Sequence, residues 1–284
     1  MLKQRVITAL VLLLILLPAL FYHSPVPFSA LALLFIAAGA WEWGRLNGFG
    51  QQASFLSGLA CVLACLVAWW LGLLEQSLTL LWLFAGLAWV FAGAWVLYRG
   101  VSAWSGHPRV IRLISGLLAL WLVWLAVTQA RMMGVNFLLS ILALVWVADI
   151  FAYFAGKALA GRFSRSKLAP SISPGKSWEG VWGGMAGVVM LAFAWQAADK
   201  VWAGTSFSFF SAIGLKSGWL LLVVVIFMAA MSVVGDLFES LVKRSAGVKD
   251  SSGLLPGHGG VLDRVDALLP TLPLAMMLHS MLTP

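Results

Sequence analysis

The sequence predicts an all-α fold: a polytopic membrane protein with about nine transmembrane helices and its polar residues gathered in loops at one membrane face. Three observations lead there. Hydrophobic residues fill 62% of the 284 positions and charged residues only 10%, a balance outside the range of soluble domains. Apolar runs of roughly 20 residues, the length that crosses a bilayer, recur along the whole chain. Lys and Arg fall almost entirely in alternate connections between those runs, the pattern that orients membrane proteins.

The first run, about 6–22, follows Lys3 and Arg5. Small residues around Ser29 and Ala30 give it some likeness to a cleaved leader, but it reads as a retained span, because the charge alternation closes only when it is counted. Runs at about 27–45, 53–73, 77–98 and 113–130 follow, with Glu75 in the short turn between the third and fourth. Cys61 and Cys65 are four apart, so they share a helix face and read as packing residues rather than a disulfide or metal pair. The remaining runs are about 134–156, 179–198, 217–235 and 265–282. The chain divides into N-terminal helices, 1–130, and a C-terminal region, 131–284, carrying two long polar loops at about 157–178 and 236–264.

With the N-terminus in the cytosol, 15 of the 18 Lys and Arg residues lie in inside segments and only Arg131, Lys200 and Lys216 lie outside. Both long loops therefore face the cytosol. The formal charge of +8 follows from this distribution, and the basic residues form no dense arm or stripe, which excludes a nucleic-acid surface.

Five of the ten acidic residues, Asp236, Glu239, Asp250, Asp263 and Asp266, are interleaved with Lys243, Arg244, Lys249, His258 and Arg264. A structural loop can carry mixed charge in salt bridges, but this density exceeds what solubility needs. Asp236 lies where the eighth span meets the cytosol, and Asp263 and Asp266 where the ninth begins. Carboxylates at two neighbouring helix ends converge on a hard cation such as Mg²⁺, which takes oxygen ligands and keeps positions for substrate phosphates. Between them, Pro256, Gly257, His258, Gly259 and Gly260 expose backbone amides suited to phosphate oxygens. In the other loop Arg162, Arg165, Lys167 and Lys176 accompany Ser171, Ser173 and Ser177, cations and hydroxyls that suit a polyphosphate. Orientation or contact with anionic lipid is the plainer reading of those charges, but it leaves the run Ser173-Pro174-Gly175-Lys176-Ser177 unexplained. Asp149 sits inside the sixth span, where an ionisable group is costly unless it faces protein or water. Tyr153 and Lys157 follow on the same helical face, and an internal ion pair is the structural alternative.

The stretch from Ser240 to Asp266 resembles the phosphatidate cytidylyltransferases, also called CDP-diacylglycerol synthases. It carries Ser240, Lys243, Arg244, Lys249, Asp250, Ser251, Ser252, Pro256-Gly257-His258-Gly259-Gly260, Asp263, Arg264 and Asp266 at the family's spacing. Gly235-Asp236-Leu237 and the segment Ser171 to Gly180 are similar as well, so the resemblance covers roughly the C-terminal half. It implies a bacterial inner-membrane, multi-pass enzyme with a cytosolic active site that moves the cytidylyl group of CTP onto phosphatidic acid in the lipid bilayer. Mg²⁺ is the implied cofactor, a second, monovalent cation is left open, and the implied assembly is a homodimer. Asp236 and Asp263 are the implied metal ligands, with Asp266 a third ligand or an orienter of basic side chains. Lys243, Arg244, Lys249 and Asp250 belong to the implied catalytic set. His258 either donates to a phosphate or caps its turn. Asp149, Ser173, Lys176 and Arg264 are implied substrate contacts. Two other readings stand beside this one: a CTP-using lipid kinase, which the Ser240 to Asp266 match disfavours, and a secondary transporter, which would place its polar residues near the midplane.

Overall fold

Nine helices among the described residues are long and apolar enough to cross a membrane, matching the runs read from the sequence. The computed structural model describes residues 2–164, 166–202 and 206–282; Arg165, counted among the basic loop residues, lies outside them. The spans are α1 (Leu2–Phe21), α2 (Val26–Leu46), α3 (Gln51–Trp70), α4 (Thr79–Ala88) continued by α5 (Ala94–Gly106), α6 (Arg109–Met133), α7 (Val135–Leu159) and α8 (Trp178–Trp202). A short α9 (Phe209–Gly214) precedes α10 (Gly218–Ser245), and α11 (Leu262–Val265) leads into α12 (Leu268–Leu282).

Helix ends differ from the hydropathy boundaries in two places. The fourth span reaches Gly106 rather than 98, with a π turn at Trp89–Gly93 and a kink at Gly100 (φ 77°), where the backbone leaves helical geometry and two helical pieces meet. The eighth reaches Ser245 rather than 235, so Asp236, Glu239, Lys243 and Arg244 are helical residues and the loop proper begins at Ala246. Charge pairing across one turn sustains that extension: Glu239 and Lys243 are an i, i+4 ion pair. The helix stops at Gly247 (φ 70°), where the Gly247 amide bonds to the Arg244 carbonyl and the Val248 amide to the Lys243 carbonyl, a left-handed cap that glycine adopts without strain. The first polar loop also holds an antiparallel hairpin, β1 (Lys167–Ala169) with β2 (Ser173–Ser177).

Between helices in lipid there is little hydrophobic drive, so close packing and satisfied polar groups carry association. The pair α7 and α8 uses small residues: a Cβ on Gly184 would meet the Ala148 carbonyl oxygen at 2.8 Å, and one on Gly183 would meet Ala155 Cβ at 2.2 Å. Buried tryptophans find acceptors across helices, Trp43 Nε1 donating to the Arg112 carbonyl (2.8 Å) and Trp124 Nε1 to that of Ser29 (3.1 Å). Cys61 and Cys65 are buried free thiols, as their shared face implied. Helix α1 is fastened at both ends, by Arg131 donating to the Leu20 and Tyr22 carbonyls and by Arg5 and Thr8 donating to those of Gly257 and Pro256.

Those contacts place the start of α1, the ends of α2, α7 and α10 and the starts of α8 and α11 at one end of the bundle. Gly184→Leu is expected to force α7 from α8, with overpacking costing about 1–3 kcal/mol. Thermal denaturation in detergent, read against wild type, checks this.

Candidate active site

At the polar end a cavity of about 500 Å³ opens between α7, β2, α8 and α10. It is lined by the charged Asp149, Lys157, Lys176 and Asp236 and by the apolar Ala148, Val181, Met185, Ala229 and Val233. Asp149, Tyr153 and Lys157 reach it together because positions i, i+4 and i+8 share a helix face. Lys176 arrives from the hairpin and pairs with Asp236 Oδ2 at 2.6 Å. The other oxygen, Asp236 Oδ1, accepts from Ser240 Oγ at 3.3 Å. Asp149, Asp236 and Asp266 lie close enough for their charges to interact. The closeness has a steric basis, since a Cβ on Gly235 would meet the Asp266 carbonyl oxygen at 2.5 Å. Only glycine lets α10 approach the start of α12 so nearly.

A second network lies around Asp263. Its Oδ2 accepts from the Gly260 amide (2.8 Å), the Ser251 amide (2.9 Å) and Ser251 Oγ (2.9 Å), while Oδ1 pairs with Lys243 Nζ at 2.5 Å. Lys243 also pairs with the buried Glu239. A lysine between two carboxylates stays charged and fixed, which is the arrangement that meets an anionic substrate without reorganising.

The other residues singled out from the sequence fall around these two centres. Arg244 donates to the Ile172 carbonyl (3.3 Å) and to that of Val248 (3.4 Å), tying the two polar loops together. Arg264 donates through Nε and Nη2 to the His258 carbonyl. His258 itself is half-buried, its amide bonded to the Leu255 carbonyl and its Nδ1 buried without a hydrogen-bond partner among the described residues. Lys249 and Asp250 are exposed on the loop, and Ser173 is half-buried in β2. Asp266 Oδ1 accepts from the Ala267 amide at 2.8 Å, opening α12 with a carboxylate.

Two glutamates that the sequence reading left without a role organise the loops. Glu179 is buried, and its Oε1 accepts from the amides of Gly161, Phe163 and Ser164. Glu42, on α2, receives four hydrogen bonds from the turn between Ser251 and Leu262. Either could have drawn attention as an acid inside or bordering an apolar run, the signal that picked out Asp149.

A bundle of membrane-length helices with lysines and carboxylates facing one another at one end defines an integral-membrane enzyme of phosphorylated substrates. The chain matches the family model described as "Cytidylyltransferase family" over residues 3–282. It is 42% identical over 277 residues to the phosphatidate cytidylyltransferase of Pseudomonas aeruginosa, spanning 96% of this chain and 95% of that protein. The corresponding enzyme of Haemophilus influenzae is 38% identical over 295 residues, 96% of each chain, and that of Brucella melitensis is 37% identical over 271 residues, 94% and 89%. The chain belongs to the cytidylyltransferase family.

Because Lys176 pairs with Asp236 and borders the cavity, Lys176→Met removes a fixed cation from its lining while keeping the length of the side chain. The expected result is a folded protein with a rate lower by about 10²-fold, read as initial velocity alongside the melting temperature.

Proposed function

We infer that this chain transfers the cytidylyl group of CTP to phosphatidate, giving CDP-diacylglycerol and pyrophosphate for phospholipid synthesis. The observation that carries the reading is a single cavity lined both by the charged Asp149, Lys176 and Asp236 and by apolar side chains. Such a lining suits a substrate with a phosphate at one end and acyl chains at the other. The relatives' names supply the reaction, and the Ser240 to Asp266 residues supply its chemistry.

In that reaction a phosphatidate oxygen attacks the α-phosphorus of CTP; the new P–O bond forms as the bond from that phosphorus to the oxygen bridging to the β-phosphate breaks, and pyrophosphate leaves with the electron pair. The lipid phosphate is already ionised near neutral pH, so positioning and charge neutralisation are the work left to the protein. Lys176 and Lys243 hold the phosphate oxygens, Lys249 and His258 meet the polyphosphate from the loop, and Arg244 and Arg264 fix the loop backbones. Asp149 faces Lys176 across the cavity, and Asp250 and Ser173 flank the nucleotide.

Mg²⁺ fits the donor set in type. Asp236 offers half-exposed carboxylate oxygens beside Asp149 and Asp266, and these, like the oxygens of Asp263, already carry partners, Lys176 and Ser240. Among the described residues no three His, Cys, Asp or Glu side chains form a ready-made ligand set; Mg²⁺ is commonly held by one or two carboxylates, with phosphate oxygens and water filling its sphere. Asp236 and Asp263 would hold it; the ion would supply charge neutralisation at the transferred phosphoryl group. A second, monovalent cation could sit among the remaining carboxylates.

The excess of Lys and Arg on one side supports a cytosolic N-terminus and cytosolic polar loops, and the bacterial relatives support the inner membrane. Exposed apolar side chains along several spans, Phe55, Trp70 and Trp219 among them, leave surface for lipid and for a second copy in a homodimer.

The purified chain in detergent, given phosphatidate and CTP labelled at the α-phosphate, is expected to move label into lipid only with Mg²⁺ and to lose it with Asp236→Asn or Asp263→Asn. Label that stays out of lipid while folded protein still binds CTP overturns the reading.

A further inference from the structure

The turn between Ser251 and Leu262 is gripped from α2 by one side chain. Glu42 is fully buried, and each of its oxygens takes one hydroxyl and one backbone amide. Oε1 accepts from Ser252 Oγ (2.5 Å) and the Val261 amide (2.9 Å); Oε2 accepts from Ser251 Oγ (3.0 Å) and the Leu262 amide (2.8 Å). No lysine or arginine pairs with Glu42 among the described residues, whose ion pairs involve Asp236, Glu239 and Asp263 only. A buried carboxylate held by four neutral donors is committed to those donors, because moving away would leave it desolvated and unpaired.

The same turn is held on its other side by Asp263. Ser251 Oγ stands between the two carboxylates, which share its single proton, 3.0 Å from Glu42 and 2.9 Å from Asp263. Gly260 passes through the gap, where a Cβ would meet Ser251 Oγ at 2.0 Å and Glu42 Oε1 at 2.4 Å. Any shift of Glu42 therefore moves Ser251 and Gly260, and with them the donors that fix Asp263 and, through Asp263, Lys243.

We propose that Glu42, from the second span, is a positioning residue for the transfer reaction: it sets the Ser251–Leu262 turn so that Asp263 and Lys243 stand ready for the substrate phosphates. The proposal rests on the cytidylyltransferase reading for its effect on rate, and on geometry alone for its effect on the turn. The donor pattern specifies a carboxylate rather than any polar group of that size. In glutamine one oxygen becomes NH₂, and in either orientation that NH₂ faces a backbone N–H, of Val261 or of Leu262. Aspartate keeps both acceptors on a stem shorter by one methylene.

The test uses the full chain in detergent as wild type, Glu42→Gln and Glu42→Asp, with kcat, KM for each substrate and hydrogen exchange by peptide. Glu42→Gln is expected to lower kcat by about 10²-fold, the effect of a misplacement near 1 Å, with a much smaller change in KM for CTP. Exchange should rise in peptides covering 249–262 and stay at the wild-type level in α6 and α7. Glu42→Asp should recover part of the rate and part of the protection, and it carries the test if the glutamine variant does not fold. Wild-type kcat in Glu42→Gln overturns the proposal. So does exchange that rises equally in every span, which would make Glu42 a packing residue only. If the wild type makes no CDP-diacylglycerol, the functional reading fails, while the exchange measurement still decides whether Glu42 holds the turn.

Discussion

Backbone that leaves a helix at a membrane edge must find hydrogen bonds inside the protein, and in this chain buried carboxylates meet that demand. Glu179 takes three amides of the first polar loop. Glu42 and Asp263 together take four amides of the second, at Ser251, Gly260, Val261 and Leu262. Asp199 does the same work at the opposite end, accepting from Asn136, Ser208 and Ser211. Each acid stands on or beside a span and reaches outward, so loops with almost no regular structure inherit the rigidity of the helices.

That rigidity decides what the lysines can do. Lys176 and Lys243 stand against carboxylates on and beside α10, Lys176 on Asp236 and Lys243 on Glu239 and Asp263. Ammonium groups on free stems would lose rotamer freedom on meeting a phosphate; these have lost it in folding. Transfer between two phosphates gains most from charge already in place, because the reacting oxygens need no general base and the departing pyrophosphate needs fixed cations.

The spans were legible because hydropathy over roughly 20 residues is a sum in which single errors cancel. Their ends were not: α10 continues to Ser245 because the Glu239–Lys243 pair satisfies in helical form charges that read as loop. The hairpin of β1 and β2 was invisible for a similar reason, since Ser173-Pro174-Gly175-Lys176-Ser177 has turn residues and no alternation, and tertiary contacts impose its extended form. In the site, Asp236, Lys243 and Asp263 were legible through spacing and charge density. Glu42 shared with Asp149 the signal of a lone acid in an apolar run, but its role was hidden because its partners lie more than 200 positions away.

Glu42 also bears on how the two halves of the chain depend on each other. The Ser240 to Asp266 residues carry the recognisable pattern, yet the turn they form is braced by Arg5 and Thr8 of α1 and Glu42 of α2, all within 1–130. A C-terminal half alone would lack the Glu42 carboxylate that accepts from Ser251, Ser252, Val261 and Leu262. The family match running from residue 3 to residue 282, rather than over the patterned half, is what such bracing would produce. The early spans contribute no charged group to the cavity lining, and their part is to hold the turn beside it still.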